Sequence, residues 1–366
     1  MIVISQNLKN LTKKIVLTFS CKGIKGLFTG SMRVCQDIFL PIIYKNSFLQ
    51  KKHHPKIQTA YLELTNECNL RCKMCSYQSA QGKTGFMSSS FFESCVNQLS
   101  EIGISVLCLH FGGESLVHPE FKKFLTYAIQ KRDEGDIESV GWTENGMLFN
   151  ESIADLVVKL KLDFINFSVD GVGSINDQIR IGSKYSVIEK NIKYLIEKRG
   201  NAKKPIVLLN MVDYGKTDEQ KLEIFREWYD TVDGIDIIPS ILPDNSWENK
   251  KLVCQSIQTL PPPSFCRFGF DTIIISWEGK VTGCCLDYVL RLDLGNAMQE
   301  PIKQIWEGSK FKAFRKAVVT STFPVESPCY KCEFWKINFK PKVEFILDGK
   351  AKIEYGYVFR KVRKCP

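Results

Sequence analysis

No uninterrupted apolar run in this 366-residue chain is long enough for a membrane-spanning helix. The short stretch Ile15-Val16-Leu17-Thr18-Phe19 is not followed by a small-x-small cleavage site, which argues against an export signal. Neither an internal repeat at a solenoid period nor a low-complexity tract is present, which excludes a repeat array. Acidic residues are nearly missing from residues 1–57, where ten Lys or Arg accompany one acid, Asp37. That prefix therefore carries almost all of the formal charge of +10, and the rest of the chain is close to neutral. No nucleic-acid-binding surface is expected on the main body. In the prefix, Ile15, Leu17, Phe19, Ile24, Leu27 and Phe28 alternate with lysines. Two arrangements fit: a helical cap on the main domain with its lysines in water, or peripheral contact with the anionic inner face of a membrane.

What is present is mostly ordinary for a soluble globular protein, with 44% hydrophobic and 25% charged residues. The length suits one large domain and a smaller one. Cysteine is the exception, with fourteen. Most stand in ligand-like groups in a large chain, which points to metal in a reducing cytoplasm rather than to disulfides. Cys21, Cys35, Cys95, Cys108, Cys254 and Cys365 lack ligand spacing and read as fillers, and the pair His53-His54 has no partners nearby. His110 and His118 flank a Gly-Gly-Glu turn, where either is within reach of a substrate.

From residue 57 the chain alternates strands and helices. The strands expected are Ile57–Leu64, Val106–Gly112, Val140–Thr143, Phe164–Val169, Ile206–Val212 and Gly234–Pro239. Helices are expected over Phe91–Ile102, Glu120–Arg132, Ile153–Leu160, Val187–Lys198 and Gln220–Val232, with starts at Asn150 and Asp218 and stops at Gly103, Gly135 and Gly200. Six such units imply a parallel α/β sheet with right-handed crossovers, either an incomplete (β/α)6 barrel or a doubly wound sheet. After the stiff run Leu260-Pro261-Pro262-Pro263, a hairpin over Asp271–Trp277 and Val281–Cys285 and a helix near Ile302–Val319 form a second, α+β region. The expected division is 1–56 as prefix, 57–245 as main domain, 260–340 as cysteine-rich domain and 341–366 as tail.

The densest signal follows the first strand, in Cys68-Asn69-Leu70-Arg71-Cys72-Lys73-Met74-Cys75. Cys-x3-Cys-x2-Cys gathers three thiolates on one loop, at the C-terminal strand end where barrel active sites are built. A four-iron cluster has four ligand positions, so three cysteines leave one iron open, whereas zinc typically takes four ligands in two pairs. This loop resembles the signature of the radical S-adenosylmethionine (SAM) enzymes. The resemblance implies a [4Fe–4S] cluster whose open iron binds SAM. One electron then yields methionine and a 5′-deoxyadenosyl radical, which takes a hydrogen atom from the substrate. Four further segments follow in the family's order. Gly112-Gly113-Glu114-Ser115 stands where the family has Gly-Gly-Glu-Pro, which implies that it holds the SAM amino group. Thr143-Glu144-Asn145-Gly146 resembles the Thr-Asn-Gly turn with one residue inserted, and Ser168-Val169-Asp170-Gly171 matches a segment that faces SAM. Arg180 is implied as the partner of the SAM carboxylate, and Asn210 as a further residue of that pocket.

Cys266, Gly279, Cys284 and the pair Cys329-x2-Cys332 resemble the auxiliary-cluster extension called SPASM, in its shortened "twitch" form with one further [4Fe–4S] cluster. A structural four-cysteine zinc site is the alternative. Cys285 is open to three roles: a substitute ligand, a filler, or a thiol returning a hydrogen atom to the substrate radical. The resemblance implies a flavodoxin- or ferredoxin-type reductant. The substrate expected is a sugar- or cyclitol-type alcohol to be oxidised or epimerised, with an unidentified base. The alternatives are peptide maturation and, more remotely, a non-enzymatic metal scaffold.

Overall fold

The structure is a computed structural model that describes residues 55–75, 77, 83–214, 216–239, 266, 268–330 and 332, and the strand backbones at 344–347, 351–354 and 359–360. Residues 1–54 of the basic prefix, with Cys21, Cys35, His53 and His54, the proline run 260–263, Cys254 and Cys365 lie outside these residues.

Six strands form a parallel sheet: β1 (Thr59–Leu62), β3 (Ile104–Cys108), β4 (Ile137–Glu144), β5 (Phe164–Ser168), β7 (Ile206–Asp213) and β8 (Gly234–Pro239). They are joined through α1 (Ser89–Ile102), α2 (Phe121–Asp133), α3 (Glu151–Lys159), α4 (Ser174–Ile179) with α5 (Tyr185–Arg199), and α6 (Asp218–Trp228). Each new strand adds to the same side of its predecessor, in the order β1-β3-β4-β5-β7-β8. A doubly wound sheet reverses its strand order partway. The fold is therefore the partial α/β barrel. Two two-residue strands, β2 (Arg71–Cys72) and β6 (Arg180–Ile181), form a separate antiparallel pair at the barrel mouth.

The pleat sorts the side chains. Ala60, Leu62, Leu107, Val140, Trp142, Ile165, Phe167, Val207 and Leu209 are fully buried and join one hydrophobic cluster with the helices. The alternate positions share the other face, where Tyr61 registers with Cys108, Thr143 with Asn166, and Ser168 with Asn210. Helix ends follow local chemistry. Ser88 caps α1 by accepting from Phe91 N–H, and Gly103 ends it at φ 74°, which a residue with a Cβ rarely adopts. Asn150 caps α3 as expected. The cap of α6 is Thr217, one residue before the expected Asp218, because Thr217 and Gln220 close a reciprocal capping box.

The second strand runs Ile104–Cys108 rather than Val106–Gly112. The chain leaves the sheet after Leu109 N–H bonds Gly141 O, so that Gly112 and Gly113 can cross to the cysteine loop, where Glu114 N–H bonds Glu67 O. The helix expected near Ile302–Val319 is two helices, α7 (Ile302–Glu307) and α8 (Ser309–Thr320), divided by Gly308 in extended backbone. The C-terminal hairpin is β9 (Thr272–Ile275) and β10 (Val281–Thr282). It does not stand apart: β9 pairs in parallel with β1, Thr59 to Thr272 through Leu62 to Ile275, and widens the barrel sheet on that edge. At the other edge the short strand β13 (Phe359–Arg360) pairs antiparallel with β8, and β11 (Glu344–Leu347) and β12 (Ala351–Glu354) pair with each other. Among the described residues no helix is long and apolar enough to cross a membrane.

Candidate active site

The three-cysteine loop leaves β1 and is pinned on both flanks. Thr65 Oγ1 donates to Gly85 O at 2.7 Å, and the Asn66 side chain both donates to Lys83 O (2.9 Å) and accepts from Gly85 N–H (2.8 Å). Arg71 folds its guanidinium back onto the carbonyls of Cys68 and Leu70, at 2.7 and 2.8 Å. The β2–β6 pair sets Cys72 opposite Arg180, and Lys73 N–H bonds Ile179 O. Cys68, Cys72 and Cys75 are half-buried and within electrostatic reach of one another. Burial pushes the Cys68 thiol up and that of Cys72 up to about 11, while the Arg180 charge pulls Cys72 the other way.

The Gly-Gly-Glu turn packs directly on this loop. A Cβ on Gly113 would lie 2.4 Å from the carbonyl oxygens of Thr65 and Glu67, and one on Gly112 would enter the Tyr77 ring at 2.2 Å. Neither position accepts a larger residue without moving backbone or a packed ring. Glu114 is buried, and its carboxylate accepts from Leu116 N–H (3.2 Å) and Asn145 N–H (2.9 Å). Burial pushes its pKa up to about 7. Ser115, in the place of the usual proline, closes the turn by donating to Leu109 O at 2.5 Å. Asn145 reaches Asn69 in the cysteine loop at 2.7 Å, so the third strand end is tied to the first.

Ser168 ends β5 and is the register partner of Asn210, which lies within β7 rather than at its end. Asp170 is fully buried and committed to protein groups: Arg180 at 2.6 Å, Val212 N–H at 2.7 Å and Lys216 Nζ at 3.3 Å. Arg180 in turn places Nη1 3.9 Å from Cys72 Sγ, and its buried Nε has no hydrogen-bond partner. Of the eight residues expected around SAM, Gly113, Glu114, Asn145 and Arg180 contact the cysteine loop directly, and Asp170 joins it through Arg180. An unpaired buried guanidinium N–H fits an incoming carboxylate. The free lone pairs of Glu114 beside two side-chain-less glycines fit an ammonium group. The donor set matches the groups SAM presents.

Three residues beside this site, and Glu144 on the opposite face, were not singled out from the sequence. Asn69 and Lys216 gave no signal beyond polarity. Glu63 lies at the end of β1, where it accepts from Tyr77 Oη–H (3.1 Å) and Trp277 N–H (3.4 Å), and burial pushes it up to about 7. Glu144, the residue by which its turn exceeds the family pattern, is 2% exposed with both carboxylate oxygens unpartnered. Its register with Phe167 sets it on the face opposite Thr143. Burial, and then the charge of Glu114, push it well above the usual carboxylate range. His110 is held by Thr143 N–H at its Nδ1 (3.1 Å) and burial lowers it to about 4. His118 bridges Met87 O and Glu120 N–H and is structural. Cys95 and Cys108 are buried fillers, as expected.

The second cysteine group draws on distant segments. Cys266, Cys284, Cys285, Cys329 and Cys332 influence one another electrostatically, and burial raises the thiols of Cys266, Cys284 and Cys329. Asp287 braces the Cys284-Cys285 turn, accepting from Thr282 Oγ1–H (2.8 Å), Arg291 N–H (2.9 Å) and Leu292 N–H (2.8 Å). Gly279, at φ 86°, turns the hairpin where a Cβ would meet Asn296 Oδ1 at 2.5 Å. Arg315 ties α8 to the segment after Cys266 by donating to Gly269 O (2.7 Å) and lies over the Trp306 ring. The two cysteine groups meet through aromatic rings: Tyr288 contacts Tyr77 (6.0 Å between centroids) and stacks on Phe111 (5.5 Å). Among the described residues no three Cys, His, Asp or Glu side chains are arranged to chelate a single metal ion.

This geometry agrees with two family models: the radical SAM superfamily matches residues 62–227, and an iron–sulfur cluster-binding SPASM domain matches residues 266–333. The chain is a radical SAM protein with a C-terminal SPASM domain. Its cofactors follow from those domains: SAM, a [4Fe–4S] cluster in the barrel, and auxiliary iron–sulfur chemistry behind it. The tungsten-containing aldehyde ferredoxin oxidoreductase cofactor-modifying protein of Pyrococcus furiosus is 22% identical over 324 residues, 75% of this chain and 89% of that protein. Among solved structures, Streptococcus suis SuiB bound to the precursor peptide SuiA aligns with a TM-score of 0.57 and 14% identity, over 86% of this chain and 76% of that one. BtrN in complex with AdoMet and 2-DOIA aligns with a TM-score of 0.50 and 17% identity, over 73% and 88%. At these identities the structures share the fold with this chain.

Proposed function

We propose that this radical SAM protein removes a hydrogen atom from an alcohol carbon of a sugar- or cyclitol-type small molecule and oxidises or epimerises it. When bound, the barrel cluster and SAM supply a 5′-deoxyadenosyl radical, and the cluster at the second cysteine group supplies an electron sink. Cys68, Cys72 and Cys75 hold the first cluster, and Cys266, Cys284, Cys329 and Cys332 the second. The two regions divide between residues 245 and 260. Gly112, Gly113 and Glu114 receive the SAM ammonium group, Arg180 its carboxylate, and Asn145, Ser168, Asp170 and Asn210 complete or brace the pocket. Cys285 packs beside its neighbouring ligand, and a flavodoxin- or ferredoxin-type protein delivers the starting electron.

The observation that carries this reading is the small C-terminal region with four candidate cysteine ligands, joined to the barrel through the pairing of β9 with β1 and the contact of Tyr288 with Tyr77. Such a group suits removal of one electron from a small radical held between the two sites. Peptide maturation is the second reading, favoured by the likeness to SuiB, whose structure holds a precursor peptide. The deciding experiment incubates reconstituted enzyme, reductant and SAM with size-separated fractions of a deuterated cell extract. Deuterium in the 5′-deoxyadenosine from the small-molecule fraction is the expected result. Deuterium from the peptide fraction alone replaces the first reading with the second.

A further inference from the structure

Arg180 stands apart from the other rim residues because a strand pair locks it to a cluster ligand. Arg180 and Cys72 are register partners in β2–β6, flanked by Arg71 opposite Ile181 and by the bond from Lys73 N–H to Ile179 O. Their proximity is thus set by backbone, and the side chains complete it with Nη1 donating toward Cys72 Sγ at 3.9 Å. The guanidinium cannot swing away freely. Asp170 grips its Nη2 at 2.6 Å, and Asp170 is itself fixed by Val212 N–H, at 2.7 Å, and Lys216. Arg180 is 7% exposed, so water screens its charge poorly. One N–H, Nε, remains unpartnered within this buried network. A single guanidinium therefore has one edge on a thiol of the cluster loop and one N–H left for the SAM carboxylate.

Hydrogen bonds to ligand sulfurs and nearby charge are among the main determinants of iron–sulfur reduction potentials. Reduction adds one electron to the cluster, and part of the added negative charge falls on the thiolates. A donor and a cation at Cys72 Sγ stabilise that reduced state more than the oxidised one. We propose that Arg180 is a redox-tuning residue: its N–H bond and charge at Cys72 Sγ raise the reduction potential of the barrel cluster and bring it within reach of a protein reductant. Arg180 acts through Cys72 and is a positioning residue in this role, separate from its contact with the SAM carboxylate. Asp170 and Lys216 serve the same end by holding the guanidinium in place. The inference rests on the reading that Cys68, Cys72 and Cys75 carry a cluster.

The test is a dithionite titration of the anaerobically reconstituted full chain, followed by electron paramagnetic resonance without SAM. The barrel cluster is identified afterwards as the signal that SAM perturbs. In Arg180→Gln the ratio of reduced to oxidised barrel cluster at a fixed poise is expected to fall about tenfold, about 59 mV for one electron. Arg180→Lys, which keeps the charge and loses the fork, is expected between the two. An unchanged midpoint in Arg180→Gln with full iron content overturns the proposal. Electron–nuclear double resonance on the reduced wild-type chain gives an independent check where the variant fails to load. An exchangeable proton coupled to the barrel cluster is expected in addition to the one that Leu70 N–H places on Cys68 Sγ, and the absence of that second proton also overturns the proposal. Failure of the wild-type chain to bind iron at all would instead refute the cluster assignment beneath it.

Discussion

The two cysteine groups of this protein are assembled in opposite ways. The first is local: three thiols within eight residues, on one loop whose register is held by the β2–β6 pair and by Asn66. The second is global: its thiols come from a segment before β9, from the turn after β10, and from beyond α8, with Asp287 and Arg315 bracing the segments. A local site can leave one cluster position open, because the barrel rim around it offers SAM contacts instead of a fourth thiol. On the proposed ligand set, four cysteines at the second site would leave its cluster no vacant corner. Openness suits bond cleavage and closure suits passing electrons, so under the proposed function the difference in assembly would parallel a difference in task.

The comparison is broken most severely at the open site. Cys72→Ala is expected to abolish 5′-deoxyadenosine formation and to lower iron from about eight to about four atoms per chain, read by iron assay and chromatography of the cleavage products. Cys284→Ala should lose a similar share of iron yet still cleave SAM, with substrate turnover lost instead. Equal loss of SAM cleavage in both variants would remove the division of labour.

Glu63 joins the two regions, since it holds Tyr77 on one side and Trp277 N–H on the other. Its folded pKa is raised from 4.5 to about 7, chiefly by burial, so the fold favours its protonated form. That contribution is fully present below the unfolded pKa of 4.5 and is lost as pH rises through about 7. The loss amounts to about 3 kcal/mol on linkage arithmetic. Denaturant melts from pH 4.5 to 8 are expected to show this decline, and Glu63→Gln should flatten it.

Gly113→Ala forces a Cβ to within 2.4 Å of two carbonyl oxygens of the cysteine loop. A cost of about 2 kcal/mol is expected from such overpacking, together with weaker SAM binding in anaerobic calorimetry. The second cysteine group should keep its iron. The smallest effect belongs to the aromatic bridge. Tyr288→Leu removes ring contacts with Tyr77 and Phe111 worth about 1 kcal/mol. It should leave both clusters loaded while raising the 5′-deoxyadenosine formed per product, the mark of loosened coupling between the regions.

Much of the barrel was legible because its signals are short-range. Period-two and period-3.6 patterns located all six strands and five of the helices around them, and β8 was found at Gly234–Pro239 as expected. Boundaries slipped where a tertiary contact outbid the local pattern. The second strand stops at Cys108 because the glycine turn is drawn to Glu67, and the C-terminal helix breaks at Gly308, whose extended backbone no hydropathy pattern reveals. Residues acting through long-range partners stayed hidden. Glu63 reads as a polar strand end until Trp277 arrives from 214 residues away. Glu144 reads as an insertion until Glu114 is seen beside it.

By itself the sequence determined the parallel α/β class, the three-thiol loop and the order of polar turns behind it, since spacing along one chain sets what a single loop can present. The tertiary structure decided which way the sheet grows, because strand order depends on crossovers rather than on strand composition. It also decided that the C-terminal hairpin joins the barrel through β1, and that Arg180 faces Cys72 while gripped by Asp170. Those outcomes depend on pairings between residues far apart in the chain, whose free energy appears only once the chain has closed the loops between them.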